Sequence, residues 1–201
     1  MKKALFLLLL LAHNALGATV VSHQAKIDLT TDKVAHIVGD VDIMTLAKFR
    51  KEMRDTQALP GDRLIIIDSR GGSLGAGEQI LKIIREEKAA SKHRVVCVAN
   101  NKASSMAFNI LSNCDVRLMT PGTHSLVHKI RRAIAGMSTA LELRAHAKEL
   151  DALDEPFRQL NARTMRLALA DYDLFADKET VWRAEVLLKI GYLHGLATIS
   201  E

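Results

Sequence analysis

The sequence is poor in aromatic residues and proline. Aromatic side chains make up 4% of the 201 residues, and none alternates with the basic cluster Lys129, Arg131 and Arg132. A surface that stacks nucleic-acid bases is therefore not expected. With three prolines, no low-complexity tract and no internal repeat, the chain gives no sign of a linker, and one domain is expected. The formal net charge of +5 is weak evidence for an acidic partner.

Long apolar runs are absent except at the N-terminus. Two lysines precede apolar residues 4–12, and small residues follow them. This order predicts a secretory signal peptide over residues 1–18, because the run is well short of the roughly 20 residues that span a bilayer. No cysteine follows the run, so a lipid anchor is not indicated. We expect cleavage after Gly17 or Ala18, a domain over residues 19–201, and a periplasmic or secreted location.

Cysteine is scarce, and both cysteines, Cys97 and Cys114, would remain after removal of a signal peptide. An oxidising compartment would permit a disulfide between them. Cys97 lies in an apolar stretch, where a buried free thiol is equally ordinary. The sequence leaves open whether the two are bonded.

Short apolar runs alternate with helical patterns over residues 34–130. The β-branched run at residues 64–67 is typical of a strand buried on both faces of a parallel sheet. Helices are predicted after Asp42, after the glycine-rich residues 69–77, and over residues 105–112. Further strands are predicted at residues 34–38, 94–98, 116–119 and 125–130. The alternation predicts an α/β domain with right-handed crossovers.

A long amphipathic helix is predicted over residues 139–167, where leucine, alanine and phenylalanine recur at helical spacing. Pro156 lies inside it and removes one backbone donor, so a kink or a break is expected there. The helix is longer than one small sheet can cover. We therefore expect its remaining apolar stripe to pack against another subunit.

Two loops are expected at the carboxyl edge of the sheet, where α/β proteins bind ligands. Residues 101–107 join a strand to a helix, and Ser105 would lie beside unpaired amides at the positive end of the helix dipole. A serine in this position is more often a cap than a nucleophile. Residues 69–73 contain two glycines that let backbone amides face a ligand. A phosphate loop is not indicated, because Glu78 stands where lysine is required.

One histidine is a candidate base for such a serine. Strand alternation over residues 125–130 puts His128 on the same face as Leu126, pointing inward beside an apolar neighbour. His124 lies in the preceding turn and is the weaker candidate. Nucleophilic hydrolysis of an amide needs an activated hydroxyl, a base and oxyanion donors, and the chain offers a candidate for each.

Together these motifs resemble ClpP, the proteolytic subunit of Clp protease. Residues 68–73, Asp-Ser-Arg-Gly-Gly-Ser, are similar to the family's Asn-Ser-Pro-Gly-Gly-Ser, and residues 102–106 to its Gln-Ala-Ala-Ser-Met. Residues 121–128 match the proline-led segment that ends in the family's catalytic histidine. Similarity runs in order over residues 34–193. The resemblance implies a ClpP/crotonase-like α/β fold with a central sheet, crossover helices and a long protruding handle helix, residues 139–167.

By position, the resemblance implies a serine-type endopeptidase acting on peptides or unfolded polypeptides. Ser105 is similar to the family nucleophile and His128 to its general base. The amides of Gly71 and Met106 are similar to the donors of its oxyanion hole. The resemblance implies no metal or cofactor. It does imply a homo-oligomeric ring formed through the long helix. Because ATP is not available outside the cytoplasm, we expect no ATP-driven unfoldase partner.

The chain departs from the family pattern at several positions. The family's proline is replaced by Arg70, and two of its glycines by Asn101 and Ala107. Thr180 stands where the family has its triad aspartate, and Glu179 and Asp177 are the nearby carboxylates that could substitute. A catalytically weak or inactive protein that assembles and binds peptides is therefore the main alternative. A crotonase-like enzyme acting on acyl thioesters would not need Ser105 and His128 at this spacing.

Overall fold

The computed structural model describes residues 24–28, 34–57, 60–90 and 92–200. The predicted signal peptide, residues 1–18, lies outside them. In chain order the described elements are β1 Gln24–Asp28, β2 Val34–Val41, α1 Ile43–Gln57, β3 Arg63–Gly72, α2 Leu74–Ala90, β4 Val95–Ala103, α3 Met106–Ser112, β5 Val116–Met119, β6 His124–Leu126, α4 Ala140–Thr164, α5 Leu169–Asp177, β7 Val181–Arg183, α6 Ala184–Lys189 and β8 Gly195–Ser200.

A parallel sheet with the strand order β1-β8-β5-β4-β3-β2 forms the centre of the molecule. The run Ile65, Ile66 and Ile67 in β3 is buried on both faces, as its β-branched composition predicts. One face carries the larger core with α1, α2 and α3, and the other carries a smaller apolar cluster. The predicted α/β fold with a central sheet and crossover helices is confirmed.

Three of the strands are longer than the sequence predicts, and one is shorter. β2, β3 and β4 continue to Val41, Gly72 and Ala103, with register shifts in their pairing. The strand predicted over residues 125–130 ends at Leu126 instead. Its antiparallel partner β7 begins only at Val181, and the next amide, that of Val127, donates to a loop carbonyl before β7. No ladder partner remains beyond that point in the described chain.

The long helix α4 begins at a capping box. Thr139 Oγ1 accepts from the Glu142 amide, and the Glu142 carboxylate accepts from the Thr139 amide. The helix continues through Pro156, so a break there is wrong. Pro156 is exposed, where water can satisfy the carbonyl that lacks its usual donor. None of the described helices is long and apolar enough to cross a membrane.

Only the C-terminal part of α4 packs on the core. Phe157 and Ala162 are buried against it, whereas residues 140–145 are all exposed. The N-terminal half of the helix therefore protrudes from the domain, as expected for a handle helix.

A disulfide joins Cys97, in β4, to Cys114, just before β5. Both residues are buried, and their Cα atoms lie 5.9 Å apart. The bond closes a loop that contains all of α3 together with Ser105. Closing a loop of this length contributes about 3 kcal/mol to stability.

Candidate active site

Ser105 lies in a strained turn between β4 and α3. Its backbone angles, φ 55° and ψ −124°, fall in a region that residues with a side chain rarely adopt. The serine does not cap the helix, since its side chain makes no capping hydrogen bond among the described residues. Strained residues of this kind cluster at functional sites, where surrounding contacts hold them in place.

Backbone hydrogen bonds hold the Ser105 turn against two neighbouring strands. The Ser105 amide donates to the Leu126 carbonyl at 2.8 Å. The Leu126 amide in turn donates to Ser104 Oγ at 3.1 Å. On the other side, the Ser104 amide donates to the Ser69 carbonyl at 3.0 Å. The turn is thereby tied to both β6 and β3.

Gly71 lies directly against this turn. A Cβ added to it would be 2.7 Å from Ser105 Cβ and 2.8 Å from the Met106 nitrogen. Its φ of 96° also requires glycine. No other residue type fits between β3 and the serine without displacing one of them.

The two predicted oxyanion donors differ in their present partners. Met106 is the first residue of α3, and its amide has no partner among the described residues. The Gly71 amide donates to Ser69 Oγ at 3.0 Å. Met106 is held in place from behind, because its side chain occupies the space where a Cβ on Gly77 would lie.

The strand β6 brings His128 towards the serine. Leu126 bonds to the turn through both its amide and its carbonyl, and His128 follows two residues later, so their Cα atoms are at most about 7 Å apart. His128 is half-buried, whereas Val127 is buried. The inward orientation predicted from strand alternation is therefore wrong, because the buried face of this alternation carries Ser125 and Val127, and Leu126 is half-buried like His128. No hydrogen bond joins Ser105 Oγ to His128 in the described structure.

The His128 ring has a single hydrogen-bond partner in the described chain. Its Nδ1 lies 2.6 Å from the carbonyl oxygen of Lys129. A carbonyl only accepts hydrogen bonds, so Nδ1 carries a proton, and in the neutral ring Nε2 then carries the free lone pair. This is the tautomer that a general base needs towards a serine.

The two carboxylates near Thr180 bind other residues. Asp177 Oδ1 pairs with Lys129 Nζ at 2.7 Å, and this hydrogen bond raises the pKa of Lys129. Glu179 Oε1 pairs with Arg131 Nη2 at 2.7 Å. No carboxylate among the described residues lies within 4.0 Å of a His128 ring nitrogen.

One anchor of the histidine segment could not be identified from the sequence. Asp154 in α4 accepts the Ile130 amide through Oδ1 at 3.1 Å. The carboxyl group is buried, and burial raises its pKa. The only signal in the sequence is an aspartate on the apolar side of the helix, which does not indicate its partner.

Two departures from the family pattern have a structural reason. Asn101 has φ 71°, a conformation that asparagine tolerates better than most residues, and its side chain donates to Asp68. Arg70 pairs with Asp40 at 3.0 Å. Beside them a polar cavity of about 290 Å³ opens at the edge of the sheet, and its lining residues are Val38, Gly39, Asp68, Arg70, Asn101 and Lys102.

The sheet order, the protruding helix and the serine turn together define a ClpP/crotonase-like fold. A sequence model of the Clp protease family matches residues 23–195, and the chain therefore belongs to that family. It is in general terms a ClpP-like peptidase. No curated protein matches the chain significantly.

Proposed function

We propose that the chain is a serine-type endopeptidase that hydrolyses peptides or unfolded polypeptides. The observation that carries the proposal is the geometry of Ser105. Its backbone is strained, and within the described ranges its side chain makes no capping hydrogen bond and the adjacent Met106 amide has no partner. A nucleophile on a strained strand-to-helix turn has this arrangement in other hydrolases.

In the proposed mechanism, Ser105 Oγ attacks the scissile carbonyl while His128 Nε2 takes its proton. The oxyanion accepts hydrogen bonds from the Met106 amide and the Gly71 amide. To donate to the oxyanion, the Gly71 amide gives up its hydrogen bond to Ser69 Oγ. His128 then donates the proton to the leaving amine. Water hydrolyses the acyl-enzyme by the same route, with His128 again as the base.

The proposal is tested with a fluorophosphonate probe on the protein without residues 1–18. We expect one label, on Ser105, located by peptide mass spectrometry. Peptide hydrolysis should fall about 10⁴-fold or more in Ser105→Ala. Labelling that persists in Ser105→Ala would reject the assignment.

A second candidate is an assembly that binds peptides without hydrolysing them. It is favoured by the absence, among the described residues, of a bond between Ser105 and His128 and of a carboxylate at the His128 ring. Hydrolysis of casein or of a small peptide ester that disappears in His128→Ala excludes this candidate.

We also propose that the protein forms a homo-oligomeric ring through the protruding part of α4. Members of this family typically form rings, and Leu141, Leu143 and Met137 are exposed at this end of the helix. Native mass spectrometry should show a smaller assembly for Leu141→Glu/Leu143→Glu. The control Leu174→Glu changes an exposed leucine on α5 and should leave the assembly intact. An unchanged assembly in the double variant would contradict the proposed interface.

An exported location and independence from an unfoldase complete the proposal. The buried disulfide between Cys97 and Cys114 is typical of proteins in oxidising compartments. The mass of the mature protein from a periplasmic fraction should correspond to a start at residue 18 or 19.

The proposed independence from an unfoldase has its own test. ATP added with a co-purifying unfoldase should leave the rate of protein degradation unchanged, and an ATP-dependent increase in that rate would refute this part of the proposal.

A further inference from the structure

The inference concerns the group that orients His128. In a serine-histidine pair, the acceptor at Nδ1 fixes the tautomer and the direction of the ring, and it stabilises the imidazolium during the reaction. Here that acceptor is the Lys129 main-chain carbonyl, 2.6 Å from Nδ1. The position that resembles the family aspartate holds Thr180.

The carboxylates that could replace the aspartate are held away from the ring by their own partners. Asp177 binds the side chain of Lys129, and Glu179 binds that of Arg131. Each pair therefore fastens a residue that follows His128, and neither contacts the ring. In effect these carboxylates anchor the segment that carries the Lys129 carbonyl.

The segment around His128 has two further attachments. The Val127 amide donates to the Thr180 carbonyl at 3.2 Å, and the Ile130 amide donates to Asp154 at 3.1 Å. The hydrogen bonds donated by the backbone amides on both sides of His128 thus fix the direction of the Lys129 carbonyl. The acceptor at Nδ1 is therefore a fixed main-chain group and not the end of a long side chain.

We propose that the Lys129 carbonyl takes the positioning role of the third triad member, so that the peptidase works as a serine-histidine-carbonyl site without a catalytic carboxylate. This inference rests on the proposed function. A neutral carbonyl orients the ring as a carboxylate does, but it gives less stabilisation to the imidazolium. Asp177 and Glu179 consequently contribute to activity only by fastening the loop.

The first test compares rates of fluorophosphonate labelling at Ser105. In this reaction Ser105 Oγ bonds to phosphorus, the P–F bond breaks, fluoride leaves, and His128 Nε2 takes the hydroxyl proton. Asp177→Asn and Glu179→Gln should each label within about threefold of the wild-type rate, since exposed ion pairs contribute at most about 1 kcal/mol. His128→Ala is the positive control and should slow labelling by at least about 10³-fold.

The outcomes of this test separate two kinds of failure. If the wild-type protein is not labelled at Ser105, the proposed function fails. If it is labelled and either carboxylate variant is slowed about 100-fold or more, that carboxylate is the triad acid and the present inference is overturned.

The second test does not depend on activity. Nitrogen chemical shifts of the neutral His128 ring should show a protonated Nδ1 and an unprotonated Nε2, unchanged in Asp177→Asn/Glu179→Gln. A proton on Nε2, or a change of tautomer in that double variant, would overturn the inference.

Discussion

The two halves of the site are built in different ways. The serine half is held by main-chain contacts: the turn at Ser105 is tied by backbone hydrogen bonds, packed against Gly71 and enclosed by the disulfide loop. The histidine half follows the end of β6 and is fastened to α5 and the loop after it by exposed ion pairs of Lys129 and Arg131.

This difference corresponds to which of the family's site residues the chain keeps: Gly71, Ser105 and Met106 are kept, whereas Thr180 stands in place of the triad aspartate. The backbone geometry at Ser105 leaves little freedom to change a residue without losing the turn. A segment held by exposed ion pairs can function without an aspartate, since another acceptor is available in the main chain. The serine half should therefore be sensitive to small steric changes, and the histidine half tolerant of charge changes.

The largest expected effect is on the serine half. Gly71→Ala places a methyl group 2.7 Å from Ser105 Cβ, which displaces either the serine or the oxyanion donor. We expect kcat/KM for a peptide substrate to fall by about 10²- to 10³-fold. Gly75→Ala is the matched control, because a Cβ there meets nothing within 4 Å. Equal activities of the two variants, both folded by circular dichroism, would contradict the account.

Loss of the disulfide should have the next largest effect. The double variant Cys97→Ala/Cys114→Ala is expected to unfold with a free energy about 3 kcal/mol lower than wild type. Urea unfolding with and without a reductant measures the difference, and only the wild type should respond to the reductant. A wild-type protein that is insensitive to complete reduction would show that the bond does not stabilise the serine half.

An acid restored at Thr180 should strengthen the histidine half. Thr180→Asp is expected to raise the labelling rate at Ser105 about tenfold, because a carboxylate stabilises the imidazolium. The neutral isostere Thr180→Asn should leave the rate unchanged. Identical labelling rates for the two variants would show that position 180 does not face the ring.

The smallest effect concerns stability at low pH. Arg158 donates to Asp173 and lowers the pKa of that carboxyl below its ordinary 3.8. The pair therefore stabilises the fold above pH 3.8, and its contribution is lost as the pH falls through the lowered folded value. Asp173→Asn should reduce the free energy of unfolding by about 1 kcal/mol at neutral pH and make no difference at the lowest pH.

The control for this prediction is Asp151→Asn, which changes an exposed carboxylate on the same helix as Arg158. It should have little effect at any pH. A loss in Asp173→Asn that stays constant from neutral to low pH would contradict the assigned ion pair.

Much of the fold could be predicted from the sequence because burial alone determines it. The β-branched run before Asp68 has to be an internal strand, and the periodicity after Thr139 has to be a helix. The ends of β3 and β4 could not be predicted in the same way. They depend on Gly72 and Asn101, which adopt positive φ while the chain continues beside its neighbouring strand.

The contacts of the candidate site could not be predicted from the sequence. Sequence motifs predict Ser105 and His128 as its members, and the structure bonds Ser105 to Leu126, two residues before His128. The strained backbone of Ser105 depends on partners that are distant in the chain, so no local pattern reveals it. The same holds for Asp177 and Glu179, whose partners Lys129 and Arg131 come from a loop about fifty residues earlier in the chain.

A crystal structure of the mature protein carrying a phosphonyl group on Ser105 tests the central claim most directly. The account predicts the phosphonyl oxygen within hydrogen-bond distance of the Met106 and Gly71 amides, and His128 Nε2 within about 3.2 Å of Ser105 Oγ or of a phosphonyl oxygen. An adduct whose oxygen contacts neither amide, with His128 remote from Ser105 in the assembled protein, would contradict it.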